Sequence, residues 1–87
     1  MSKRSTISDV EVLRAYEESA VARPQAIRGA PLPWPEKILS ARHGCHEKVA
    51  LAAMERALSR GLIDYGVILR AGWVTEKGKA LLRQERA

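Results

Sequence analysis

Phenylalanine is absent from this 87-residue chain, and two Trp and two Tyr are its whole aromatic complement. So few rings argue against a base-stacking platform of the kind that grips single-stranded nucleic acid. A single cysteine rules out an intramolecular disulfide. No N-terminal apolar run resembles a signal peptide, and no stretch approaches the ~20 apolar residues of a membrane span, so a cytoplasmic protein without membrane contact is expected. Metal chemistry has little to build on. The one Cys and both His fall within His43-Gly44-Cys45-His46, and a structural zinc site needs four ligands. A Cys-His neighbourhood can also supply a thiolate nucleophile, but no orienting Asp or Asn adjoins it. There is no Gly-rich phosphate loop either, and the chain is too short to wall off a substrate pocket. No enzymatic activity, metal or cofactor is expected, and Cys45 reads as a small buried or capping residue at a turn.

Fifteen Lys and Arg stand against ten Asp and Glu, a formal charge of +5 that permits attraction to a polyanion without requiring it. The length suits one domain with a small core.

Met1 to Thr6, with Lys3 and Arg4, reads as a short basic arm. From Ile7 the chain announces a helix: Ser8 can accept from a first-turn amide, Glu11 can reach back, and Ile7 can staple onto Val12. The helix is expected from about Asp9 to Ala22, ending before Pro24. Residues 23–34 carry Pro24, Gly29, Pro31 and Pro33 and predict an ordered loop whose Ile27, Leu32 and Trp34 seek burial. Pro35 then sits where proline is favoured, at the first position of a second helix that Gly44 stops. A third helix follows from about His46 to Arg60, with Gly61 as its left-handed terminator. Ala50, Ala53, Met54, Ala57 and Leu58 recur at helical spacing as its core stripe. Two short strands, from Leu62 to Tyr65 and ending at Trp73-Val74, make a hairpin. Gly66 would turn it early; Arg70-Ala71-Gly72 would give a longer first strand and a basic tip, the preferred reading. Thr75 caps a last helix over about Glu76 to Glu85. The expected core is Leu13, Tyr16, Ile38, Leu39, Ala50, Ala53, Met54, Leu58, Leu62, Val74 and Leu81, with Leu82 a further candidate.

This order is mainly α with a small β-hairpin. Its punctuation, Arg60-Gly61-Leu62-Ile63-Asp64-Tyr65 closing the third helix and Trp73-Val74-Thr75-Glu76-Lys77-Gly78 after the hairpin, resembles small winged helix-turn-helix proteins of bacterial and bacteriophage type over about residues 35–82. The resemblance implies a three-helix core, a two-stranded wing over 62–74 and a C-terminal helix. It also implies double-stranded DNA binding by a small transcriptional regulator. In such proteins the third helix enters the major groove and the wing touches the adjacent backbone.

Removing the apolar stripe leaves Glu47, Lys48, Leu51, Ala52, Glu55, Arg56 and Ser59 facing out. Lys48 and Arg56 are the candidate groove contacts, His46 and Arg42 the backbone contacts, and Arg70 reaches from the wing; Lys37, Lys77 and Lys79 add positive charge. Since neither Lys48 nor Arg56 belongs to the stripe, replacing both by Ala is expected to spare the fold. Two features fit DNA poorly: Glu47 and Glu55 repel phosphate, and Val67-Ile68-Leu69 is apolar where a wing is exposed. The alternative is a protein-interaction module docking through Leu51, Ala52 and Val67, Ile68 and Leu69, either onto a second copy or onto another protein.

Overall fold

The computed structural model describes residues 7–86, so the basic arm expected over residues 1–6 lies outside the described residues. Helix α1 spans Asp9–Ala22 and is set by its first turn: Ser8 Oγ accepts from Glu11 N at 3.2 Å and Ser8 N donates to Glu11 Oε1 at 2.9 Å. That backbone hydrogen bond from Ser8 holds the Glu11 carboxyl below the usual carboxylate range. Ile7 and Val12, the expected staple, are both buried. Ser8→Ala removes the acceptor for a first-turn amide and is expected to lower stability by about 1 kcal/mol in a urea titration.

After a 3-10 turn at Arg23–Gln25 the chain crosses a loop, and one expectation fails there. Ile27 is 80% and Leu32 40% exposed. The core is built from α1, the later helices and the hairpin, and a proline-rich loop that cannot form regular structure contributes neither side chain to it. Trp34 is half-buried, with the Arg23 and Arg70 guanidiniums over its ring at 5.0 and 4.7 Å.

Helix α2, Pro35–His43, starts on the expected proline and ends at Gly44, whose φ of +61° favours a residue without a Cβ. Helix α3, Glu47–Ser59, begins at His46, whose Nδ1 accepts from Lys48 N at 3.0 Å. Gly61 turns the chain out at φ +76°. Strands β1, Ile63–Asp64, and β2, Trp73–Val74, pair antiparallel, with Ile63 opposite Val74 on the inner face and Asp64 opposite Trp73 on the outer.

The long first strand with a tip at Arg70-Ala71-Gly72 is not what forms. β1 stops at Asp64, and Leu69–Ala71 makes a 3-10 turn. Two contacts draw the segment back onto the helices: the Tyr16 hydroxyl donates to Leu69 O at 2.7 Å, and Arg70 Nη2 donates to Glu36 Oε2. Leu69 therefore packs against the core, while Val67 and Ile68 stay 93% and 45% exposed.

Helix α4, Glu76–Arg86, is capped by Thr75, whose Oγ1 accepts from Gly78 N at 3.1 Å and donates to Gly61 O at 2.7 Å. The described residues thus form a mainly helical domain of α1, α2, α3 and α4 with one two-stranded sheet. Its core joins Leu13 and Tyr16 of α1, Leu39 of α2, Ala50, Ala53 and Met54 of α3, and Leu62 and Val74 of the hairpin. Ile38, Leu58 and Leu81 are only partly buried, and Leu82 is the buried leucine of α4. Ile63 and Ala15 also enter the core. Among the described residues no helix is long and apolar enough to cross a membrane.

Candidate nucleic-acid interface

Helix α2, the left-handed Gly44 and α3 leave one ridge of α3 unpacked. Its buried side is Ala50, Ala53, Met54 and Ala57, and the opposite side carries Lys48, Ala52, Glu55 and Ser59, all exposed, at intervals of one and two turns. Leu51 is 36% and Val49 41% exposed beside this ridge. The ridge is narrow and offers a cation, a methyl, a carboxylate and a hydroxyl.

The candidate contacts fall into distinct settings. Lys48 and Lys77 are exposed, and among the described residues neither has a carboxylate within ion-pair distance. Arg42 is gripped by Glu18 through two hydrogen bonds at 2.8 and 3.2 Å, which raise the guanidinium's pKa and lower the carboxyl's. A surface pair of this kind contributes little to stability and is screened by salt, so a phosphate can compete for the arginine. Lys37 makes a similar exposed pair with Glu47 at 2.9 Å, and its hydrogen bond is the main reason the Glu47 carboxyl is lowered. His46 is exposed, with Nδ1 engaged as the helix cap.

Arg56 and Arg70 are not the free cations that the sequence reading expected. Arg56 lies on the flank of α3, half-buried, donating through Nη2 to Ile7 O with Nε 3.7 Å from Asp9 Oδ1. It ties α3 to the entry of α1, so its replacement is expected to cost stability as well as charge. Arg70 stands on no wing tip; it stacks on Trp34 and neutralises the buried Glu36. Both arginines are anchored by groups far away in sequence, which a helical wheel cannot foresee.

A further cation, Arg60, belongs to this surface although it was not among the expected contacts. It lies one turn beyond Arg56 on the same flank, 55% exposed, with Nη1 2.5 Å from Asp9 Oδ2. The i, i+4 spacing of Arg56 and Arg60 was the available signal.

The alternative docking residues divide as well. Leu51, Ala52, Val67 and Ile68 are exposed, and Leu69 is drawn inward. The hairpin adds two side chains that the sequence had not singled out for docking: Trp73 is 53% and Tyr65 40% exposed.

In the His43-Gly44-Cys45-His46 turn Ser40 Oγ donates to Cys45 O at 2.5 Å, and His43 Nε2 sits 3.0 Å from Glu11 Oε2. Among the described residues no three His, Cys, Asp or Glu side chains are grouped to hold a metal ion. No protein-family model, no curated protein and no solved structure matches the chain.

Proposed function

We propose that the chain is a winged helix-turn-helix domain that binds double-stranded DNA without enzymatic action, as a small cytoplasmic regulator of bacterial or bacteriophage type. The observation that carries this reading is the unpacked ridge of α3, following a left-handed turn and preceding a hairpin, the arrangement in which a recognition helix is presented to a major groove. On that ridge Lys48 pairs with phosphate or the guanine edge, the Ala52 methyl meets a thymine methyl, Glu55 accepts from a cytosine amino group and Ser59 bonds to either base type. Glu55 discriminates because a carboxylate is tolerated only where a donor faces it.

The test is fluorescence anisotropy of the protein on a pool of short mixed-sequence duplexes, titrated with salt. Binding is expected to weaken linearly in log–log form, with a slope of roughly −0.9 for each phosphate neutralised. Lys48→Ala, at an exposed position without a packing role, is expected to weaken binding and leave thermal unfolding unchanged. Absence of duplex binding at low salt sinks the DNA reading.

One observation favours a second reading, a protein-interaction module: Tyr65, Val67, Ile68 and Trp73 expose apolar surface on a hairpin that carries Asp64 rather than cations on its outer face. In that reading Leu51 and Ala52 extend the contact, and a second copy or another protein covers it.

A further inference from the structure

The corner where α1 begins, α3 ends and α4 begins gathers positive charge that the recognition ridge does not use. Arg60 and Arg56 converge there on one carboxylate, Asp9, which is 16% exposed at its side chain. Lys77 comes in from the other side. Its Cδ and Nζ lie 3.8 and 3.9 Å from the position a Cβ would occupy on Gly61, the residue after Arg60. The Thr75 hydroxyl, donating to Gly61 O, holds the first turn of α4 against that end of α3. Arg56 and Arg60 thus share one counter-charge, and among the described residues Lys77 has no carboxylate within ion-pair distance. The neighbouring Glu76 turns to Lys79, 3.6 Å away, and Glu11 is occupied by Ser8 and His43. Two helices, α1 and α4, also start here, each contributing the partial positive charge of its N-terminus, against one C-terminus from α3.

We infer that this corner, through Arg60 and Lys77 with Arg56 behind them, is a second contact surface that grips the phosphodiester backbone of duplex DNA without reading its sequence. The inference rests on the DNA reading proposed for α3 and adds to it a clamp at the far end of the same helix. Arg60 and Lys77 supply the contacts, because both side chains are exposed and both stand at helix ends, Arg60 closing α3 and Lys77 in the first turn of α4. Arg56 is committed to Ile7 O and fixes the corner's shape. Asp9 restrains the site: each phosphate must share Arg60 with its carboxylate.

The experiment is the salt-dependent anisotropy titration on a mixed-sequence duplex, with circular dichroism confirming that each variant is folded. Lys77→Ala is expected to make the log–log slope shallower by roughly 0.9 and to weaken binding about eightfold at 0.1 M salt, and Arg60→Ala to act in the same direction by less, because Asp9 already holds part of its charge; both effects are equal for all sequences. Asp9→Asn gives the opposite sign, tighter binding and a steeper slope, because it frees Arg60. The gain is expected to vanish when Arg60 is already Ala, whereas a general effect of the added charge would persist in that double variant. If Lys48→Ala weakens binding while Arg60→Ala, Lys77→Ala and Asp9→Asn leave the slope unchanged, the clamp is wrong and the α3 reading stands. If the wild-type protein does not bind duplex at all, both fall.

Discussion

Replacing Glu36 by Ala is expected to lower the unfolding free energy by roughly 1–3 kcal/mol, a substantial share of the roughly 4–13 kcal/mol typical of a domain this size. Glu36 is 2% exposed in the first turn of α2, where the helix N-terminus favours its negative charge. Its Oε2 accepts from Arg70 Nη2, while its Oε1 and Arg70 Nε have no hydrogen-bond partner. The pair is therefore incompletely satisfied and gains little over apolar packing. Removing one member is another matter, because it leaves a half-buried guanidinium without its counter-charge beside Trp34. The same loss frees the segment after β1, which Arg70 and the Leu69 carbonyl pin to α2 and α1. Urea unfolding of Glu36→Ala and of the double variant Glu36→Met/Arg70→Leu separates the two effects. The single change is expected to be the costlier and the double change to recover most of the loss, since both charges leave together. Equal destabilisation in the two variants would mean that Arg70 acts through its stacking on Trp34 rather than through the ion pair. The Tyr16 hydroxyl supplies a spectroscopic companion: burial, with the Glu36 charge adding to it, raises its pKa well above the tyrosine range, so it remains a donor to Leu69 O in alkaline solution.

What could be read from residues alone follows the range of the forces involved. The limits of α1, α2 and α3 were legible because short-range chemistry sets them: Ser8 with Glu11, Pro35 at the first turn, and Gly44 and Gly61 at left-handed exits. The core stripe of α3 was legible for the same reason, as its period is local. The segment from Tyr65 to Gly72 was not. Its β-branched and aromatic character suggested a longer first strand, but its course is decided by Tyr16 and Glu36, residues 53 and 34 positions away from their partners. The candidate site divides on the same line. Lys48 and Lys77 stand exposed, and among the described residues no carboxylate pairs with them. Arg56 and Arg70 were expected at the surface and are instead held by Ile7, Asp9 and Glu36. A cation's sequence neighbours reveal its helix face, and only the folded chain reveals its counter-ion.

Gly78→Ala is expected to destabilise the domain by about 2 kcal/mol or more, against the direction that helix propensity gives. Within α4, alanine should gain up to about 1 kcal/mol over glycine. A Cβ on Gly78 would nevertheless stand 2.3 Å from Leu62 O and 2.7 Å from Val74 Cγ1. Neither neighbour can yield. The Leu62 carbonyl accepts from Thr75 N at 3.0 Å, the bond that closes the hairpin onto the cap of α4, and Val74 is buried in the core. Overpacking of this kind costs about 1–3 kcal/mol, and each kcal/mol moves the melting temperature of a domain this size by roughly 4–8 °C. Gly66→Ala is the matched control: nothing lies within 4 Å of its Cβ position, and its φ is not positive. That variant is expected to melt within a few degrees of the parent, while Gly78→Ala melts roughly 10 °C or more below it; similar melting of the two would refute the close approach of α4 to Leu62. The approach also bears on binding, because Gly78 adjoins Lys77. If α4 shifts off Leu62, Lys77 moves from its place over Gly61, and duplex affinity is expected to fall in Gly78→Ala while it is retained in Gly66→Ala.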